Sequence, residues 1–426
     1  MNFESETSLP DKFVAHIREL MGEDRFGAFL EGMKQPAPVS IRLNPLKAQG
    51  LRPCANMQPQ QVEWCKQGWY LNARPQFTFD PLFHAGVYYV QEASSMFLDH
   101  VLRTFVHQPV SMLDLCAAPG GKTTCAFSAL PEGSRLMSNE PLHARAQILK
   151  ENVIKFGSPD IIVTNNYVAD YARTPLLFDV ILTDVPCSGE GMFRKDADAI
   201  GEWSSQNVEK CQRLQREIVA DIWHCLRPGG LLIYSTCTFN RFEDEDNIAW
   251  ISQELGAEAL EIPVESGWNV VGPLTGNLPV CHFIPGITRG EGLFMAALRK
   301  PGCSEPNPNL SESAMKRLRV LAHGVETDKV KGKNRVPDIT KALMTSHDDE
   351  LPLVNVDYQQ AIAYLSHNAI TLPQNAPRGY VAVGYEDHAL GVAKNIGNRA
   401  NNLYPQEWRV KSTHVPEPFH VLEPCR

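Results

Sequence analysis

Two cysteines stand where they could do covalent chemistry together. Cys187 lies in Leu182-Thr-Asp-Val-Pro-Cys-Ser-Gly-Glu-Gly191 and Cys237 in Leu231-Leu-Ile-Tyr-Ser-Thr-Cys-Thr238. Each follows a short apolar run that reads as a buried strand. In an α/β sheet, ligands bind beyond the carboxyl ends of the strands. Two thiols at two such ends can face one substrate, which suits addition to a ring carbon. Taken singly, each could equally be a small buried hydrophobe, the commonest fate of a free cysteine. It is the pairing that favours chemistry. Asp184, on the Cys187 loop, can accept a hydrogen bond from a ring or exocyclic amino group. Pro186 stiffens that loop, and Gly189 and Gly191 let it pass close to a base.

A second segment points to a cofactor. Asp114-Leu-Cys-Ala-Ala-Pro-Gly-Gly-Lys-Thr-Thr124 follows an apolar run and opens a helix. Gly121-Lys122-Thr123 invites a phosphate-loop reading, but that pattern needs glycine at position 116, which is Cys. The dinucleotide fingerprint Gly-x-Gly-x-x-Gly is also absent. Residues Cys116, Ala117, Ala118, Pro119, Gly120, Gly121 and Lys122 instead suit a carboxylate at a helix N-terminus, such as the amino-acid end of S-adenosylmethionine. A merely tight turn is the plainer alternative. Glu140 ends the next strand, about 20 residues on, where an acid can accept bonds from ribose hydroxyls. Asn165 follows the third strand, as an adenine-side contact or an ordinary turn residue.

The elements that must hold these residues alternate strand and helix. Strands are expected at 112–115, 135–139, 161–164, 180–183 and 231–234, and helices at 122–130, 143–156, 206–226 and 244–255. A late strand at 293–298 can pair with 281–284. This alternation means a parallel sheet with helices on both faces. Residues 1–105 read as a small α+β module, with helical stretches at 11–20 and 25–33 and strands at 40–44 and 64–71. Residues 106–300 form the main sheet. Pro301-Gly-Cys-Ser-Glu-Pro-Asn-Pro-Asn309 opens a linker with a basic segment, 301–335. A last domain covers 336–426.

Composition limits the remaining possibilities. A chain of 426 residues suggests two or three domains. No run approaches the roughly 20 apolar residues of a membrane span. The acidic start lacks a charged-then-apolar leader pattern, so a cytoplasmic location is the default. The 11 cysteines are scattered and form no Cys-x-x-Cys, which favours reduced thiols and no metal site. The net charge of −9 argues against nonspecific nucleic-acid binding. The charge is uneven, however: Lys316, Arg317, Arg319, Lys329, Lys331, Lys333 and Arg335 face only Glu326 and Asp328. That stretch is either a solvated connector or a phosphate-contacting segment.

Asp114 to Lys122, Asp184 to Gly191 and Tyr234-Ser-Thr-Cys-Thr238 resemble the signature motifs of the Nop/Sun family of RNA 5-methylcytosine methyltransferases, nearest its bacterial RsmF (YebU-like) branch. Ser40-Ile-Arg-Leu-Asn-Pro-Leu-Lys47 and Tyr89-Val-Gln-Glu-Ala-Ser-Ser-Met96 resemble its N-terminal motifs. Gly391-Val-Ala-Lys-Asn-Ile-Gly-Asn-Arg399 resembles its C-terminal PUA-like module. The resemblance implies a Rossmann-like, S-adenosylmethionine-dependent methyltransferase sheet flanked by two RNA-binding modules. It implies Cys237 as the nucleophile that adds to carbon 6 of cytosine and Cys187 as the group serving release. Asp184 would hold the ring nitrogen edge, with Lys122 near both base and cofactor. Arg194 and Lys195 would meet substrate phosphates, or be exposed loop charges. Some relatives carry an acid where this chain has Asn165 and Asn166. Small-subunit ribosomal RNA is the implied substrate, with transfer RNA or large-subunit RNA as alternatives and a monomer as the default. Two other classes remain to be weighed: a non-catalytic ribosome-assembly factor, which would not need both thiols and a cofactor loop, and a small-molecule methyltransferase, which would not need the flanking modules.

Overall fold

The computed structural model describes residues 9–331, 334–345, 351–412 and 414–425. The chain opens with helix α1 (Asp11–Lys34), bent at Gly22, whose φ of 74° a glycine accepts readily. The two helical stretches expected here are therefore the arms of one bent element. Strands β1 (Val39–Leu43), β2 (Gly68–Leu71) and β3 (Tyr88–Val90) form an antiparallel sheet with β1 in the middle. Trp64, expected within a strand, lies just before β2 and packs into the core, donating its indole N–H to Ala93 O at 2.8 Å. Helix α2 (Phe97–Phe105) leads into the main sheet.

That sheet is built on five parallel strands: β4 (Ser111–Asp114), β5 (Arg135–Asn139), β6 (Ile161–Thr164), β7 (Phe178–Asp184) and β8 (Leu226–Thr236). Their spatial order is β8-β7-β4-β5-β6. The antiparallel strand β9 (Leu293–Arg299) extends the β8 edge and itself pairs with Cys281–Phe283, as the sequence suggested. Alternation along the strands feeds two cores. Met112, Val180, Leu182, Leu231 and Ile233 face one, with α3 (Gly121–Ala129) and α4 (His143–Phe156). Leu113, Ile181, Leu232 and Tyr234 face the other, with α5 (Ser205–Ile222) and α6 (Glu245–Glu254). Helices thus cover both faces, which a parallel sheet requires. The strand order reverses between β4 and β7. That reversal opens a crevice at their carboxyl ends, the usual ligand site of such sheets.

Part of the stretch expected as a linker packs into the fold. Leu310, Ala314, Met315 and Leu318 pack into the second core, and β10 (Val320–His323) joins the sheet antiparallel to β6. Its Pro- and Asn-rich start hid these apolar anchors. Arg317, an exposed cation of this stretch, donates to Arg173 O at 3.0 Å. Lys333 lies outside the described residues.

The last sheet comprises β11 (Leu353–Asn355), β12 (Gly379–Tyr385), β13 (His388–Asn395) and β14 (Ala400–Asn402), backed by α7 (Tyr358–Leu365). It shares one hydrophobic core with the N-terminal sheet: Ile41, Leu43 and Leu71 pack in the same cluster as Tyr358, Val381 and Leu390. Leu51–Pro53 pairs with Leu422–Pro424 across the join. The two end modules therefore form one platform beside the methyltransferase-like sheet.

Candidate active site

The crevice is lined by the loops that the sequence singled out. After β4 the chain runs through Cys116, Ala117, Ala118 and Pro119 to Gly120, whose φ of 111° caps α3. Thr124 N is the first amide of α3 to bond back, to Gly120 O. The amides of Gly121, Lys122 and Thr123 have no intrahelical acceptor and point toward the crevice end of the sheet. Arg145 and Asn152 of α4 hold the loop from outside, donating to Ala118 O at 2.9 Å and Pro119 O at 2.8 Å. Asp114 accepts from the Thr123 hydroxyl at 2.7 Å, while its Oδ1 is buried with no partner. Burial pushes its carboxyl up to about 7. Burial likewise raises the Cys116 thiol, so Cys116 stays a neutral wall residue.

Glu140 is buried at the end of β5. Its Oε1 accepts from Leu142 N at 2.9 Å, and Arg145 Nη1 lies 3.7 Å from Oε2. The residues fit S-adenosylmethionine: free helix-start amides for its carboxylate, and a carboxylate oxygen at the next strand end for ribose hydroxyls. Asn165 is turned away from an adenine role. Its amide donates to Glu140 O at 2.8 Å and Pro141 O at 2.9 Å. Asn166 is similarly occupied with Arg319, donating to Arg319 O and accepting from Arg319 N.

On the other side of the crevice, β7 and β8 run parallel with Asp184 beside Ser235. Asp184 accepts from Ser235 Oγ at 2.7 Å and from Lys122 Nζ at 2.9 Å. Burial works against the Lys122 charge, but the Asp184 carboxylate outweighs it and the ammonium pKa is raised. The loop after Asp184 curls back over the end of β8. It sets Cys187 Sγ 3.1 Å from Cys237 Sγ, with Cys237 N donating to Cys187 Sγ at 3.4 Å. The two loops touch closely at Gly191: its N–H donates to Cys237 O, and a Cβ there would lie 3.0 Å from that oxygen. The hydrogen bond to Cys237, followed by burial, pushes the Cys187 thiol well up. That environment favours the protonated form of Cys187.

Some important residues escaped sequence reasoning. Arg42 of β1 is buried and reaches across the join to α3. It donates to Thr124 Oγ1 at 2.6 Å, Thr124 O at 3.3 Å and Ser128 Oγ at 3.2 Å, and to Gln91 Oε1 at 2.7 Å. The two N-terminal motifs thus brace the helix whose start faces the crevice. Replacing Arg42 with methionine should destabilise the protein by about 2–4 kcal/mol, because Gln91 Oε1 stays buried without that donor and the bonds to Thr124 Oγ1 and Ser128 Oγ are lost. A chemical denaturation midpoint unchanged from wild type would contradict this bracing.

Arg194 is a correction. It neither meets solvent nor offers itself to phosphate, being buried against Glu291 at 2.9 Å and donating to Gly32 O and Gly290 O. It pins α1 and the loop before β9 to the Cys187 loop. Lys195 remains partly exposed, 3.8 Å from Glu291.

Glu190, inside the Cys187 motif, was also passed over. It accepts from Phe239 N at 2.8 Å, Asn240 Nδ2 at 3.0 Å and Trp203 Nε1 at 2.9 Å, tying the Cys187 loop to the Cys237 loop. Burial, and then the neighbouring Glu243, push its carboxyl up to about 7 from 4.5. The fold holds a proton that the unfolded chain has already released. The stability Glu190 contributes is thus complete below its unfolded pKa and lost as pH rises through about 7. The stability of Glu190→Gln relative to wild type should therefore improve between about pH 5 and pH 8. Parallel stability–pH curves for the two proteins would contradict the raised pKa.

Among the described residues, no group of three or more His, Cys, Asp or Glu side chains is placed to hold a metal ion. Among them too, no helix is long and apolar enough to cross a membrane.

Known proteins resemble nearly the whole chain. Residues 105–299 match the family described as 16S rRNA methyltransferase RsmB/F. Residues 9–93 match the N-terminal domain of 16S rRNA methyltransferase RsmF, and residues 352–410 the methyltransferase RsmF PUA domain. The chain is 30% identical to ribosomal RNA small subunit methyltransferase F of Enterobacter sp. (strain 638), over 93% of this chain and 95% of that protein. The protein of the same name from Escherichia coli O157:H7 is 29% identical over 93% of this chain and 96% of its own. Among solved structures, a methyltransferase homolog protein from Pyrococcus horikoshii superposes with a TM-score of 0.57 at 25% identity, over 70% of this chain and 99% of that one. The structure of NSun6 from Pyrococcus horikoshii with SFG shares the fold, with a TM-score of 0.56 at 19% identity over 69% of this chain and 98% of its own.

Proposed function

Because the chain belongs to the RsmB/F family of 16S rRNA methyltransferases, with RsmF-type domains at both ends, we propose that it methylates carbon 5 of a cytosine in 16S rRNA through a covalent Cys237–cytosine adduct. The observation that carries this reading is the pair of thiols 3.1 Å apart beyond the ends of β7 and β8, next to the strand-order reversal and a loop that suits S-adenosylmethionine. The protein acts as a monomer in the cytoplasm.

When bound, S-adenosylmethionine supplies an electrophilic methyl group. The chain's residues hold and prepare the partners. The amides of Gly121, Lys122 and Thr123 would hold the cofactor carboxylate, and Glu140 would hold the ribose hydroxyls. Carbon 5 of cytosine is a poor nucleophile. The Cys237 thiolate adds to carbon 6, which places electron density on carbon 5 and splits one hard step into easier ones. Asp184, oriented by Ser235 and Lys122, holds the ring nitrogen edge and favours the protonated adduct. After methylation, the carbon-5 proton passes to solvent water, its electron pair re-forms the C5–C6 double bond, and the bond from Cys237 Sγ to carbon 6 breaks with its electron pair leaving on the Cys237 sulfur. Cys187, protonated and adjacent, serves that release. Carbon 6 is accessible only when the base is unstacked, so the platform of the two end modules presents single-stranded or extruded RNA.

The direct test is transfer of tritium from labelled S-adenosylmethionine to ribosomal and transfer RNA taken from a strain lacking the protein. Label in 5-methylcytosine of 16S rRNA is the expected result. Label confined to transfer RNA or 23S rRNA, or none at all, overturns the proposal.

A further inference from the structure

Glu243 plays no part in the chemistry described above, yet it is fully buried on the turn between β8 and α6. Its carboxylate receives N–H donors from both cysteine loops. Oε2 accepts from Ser188 N at 3.0 Å and from Gln215 Nε2 at 2.7 Å, and Oε1 accepts from Asn240 Nδ2 at 2.9 Å. Gln215 Nε2 also donates to Pro186 O at 2.9 Å. Pro186 and Ser188 flank Cys187, so the peptides on both sides of that thiol lead to this one carboxylate. The same residue is fixed to the Cys237 side. Its N–H donates to Asn240 Oδ1 at 3.0 Å, and its carbonyl accepts from the Tyr234 hydroxyl at 2.7 Å. Burial raises the Glu243 carboxyl pKa, and the donors from Ser188, Asn240 and Gln215 oppose that rise. Three N–H groups and one hydroxyl converging on acceptors of one residue form a network with little slack.

We propose that Glu243 is the positioning residue that holds Cys187 against Cys237 and thereby sets the rate at which methylated RNA leaves Cys237. This rests on the release role proposed for Cys187. A glutamine at 243 has the same shape, but one of its two heads is an N–H₂ group. That head must oppose a donor, either Asn240 or the Ser188–Gln215 pair, so the Cys187 loop shifts while the core stays filled.

The experiment compares Glu243→Gln, Gln215→Met and Cys187→Ala, using 16S rRNA from a strain lacking the protein and labelled S-adenosylmethionine. Glu243→Gln should lower kcat by about 10–100-fold, the scale of a misplaced catalytic group, with RNA KM and cofactor Kd unchanged. It should also accumulate a denaturation-resistant protein–RNA adduct, as Cys187→Ala does. A purely structural role would lower the melting temperature and weaken binding without trapping that adduct. Gln215→Met cuts the tie to Pro186 and should trap the adduct too; it carries the test if Glu243→Gln does not fold. If Cys187→Ala traps adduct while both other variants release RNA at the wild-type rate, the positioning role alone is overturned. If Cys187→Ala traps none, the release role falls and the Glu243 proposal falls with it.

Discussion

Replacing Cys237 with alanine is expected to abolish methyl transfer, lowering kcat by on the order of 10⁴-fold or more, the scale on which losing a covalent nucleophile is felt. Without a sulfur to add at carbon 6, carbon 5 stays unreactive however well the ring is held. Cofactor binding should survive, because the free amides and Glu140 that suit S-adenosylmethionine belong to the ends of β4 and β5, whereas Cys237 follows β8. Single-turnover transfer from labelled cofactor, with calorimetric binding of the cofactor as control, measures both. Transfer within about tenfold of wild type would sink the nucleophile assignment, because it corresponds to only ~1.4 kcal/mol of lost barrier lowering. The same measurement separates the two thiols. Were Cys187 the attacking sulfur, Cys237→Ala would still form the covalent RNA complex.

Replacing Cys187 with alanine should have the opposite signature. The first addition needs only the Cys237 thiolate, so the adduct forms. Release lacks the protonated neighbour that now sits 3.1 Å from the departing sulfur. Turnover stalls, and a large fraction of the enzyme should migrate with RNA after denaturation, the band disappearing on ribonuclease treatment. The release role requires Cys187 as a thiol. The hydrogen bond to Cys237 and burial both hold Cys187 as a thiol, and a thiol is a poor nucleophile. Absence of any denaturation-resistant complex with a confirmed substrate would remove Cys187 from the release step.

Much of this site was legible in the chain. The apolar runs read at 112–115, 135–139, 161–164, 180–183 and 231–234 lie in the five parallel strands to within a residue, because burial on both faces demands near-continuous apolar residues. The glycine-rich turn after β4 opened a helix, as its composition required. Both cysteines fell beyond strand ends. These features depend on neighbours in the chain, through strand period, turn chemistry and helix starts, so a local reading reaches them.

Other outcomes were set only by folding. Arg194 looked like a free loop charge, but its partner Glu291 lies far along the chain, and no local pattern pairs them. Asn165 bonds backwards to the end of β5 rather than outwards, which depends on how two loops meet. The basic stretch became a sheet edge because Leu310, Ala314, Met315 and Leu318 found a core to enter. Sequence alone determined which strands form, which loops carry the chemistry and that two thiols lie at strand ends. Only the tertiary structure decided that those thiols meet at 3.1 Å, that the surroundings of Cys187 favour its thiol form, and that Glu190 and Glu243 lace their loops together. The physical reason is that secondary structure follows from short-range periodicity. Proton ownership and loop placement follow from burial and hydrogen bonds between residues about fifty positions apart, which form only once the sheet is assembled.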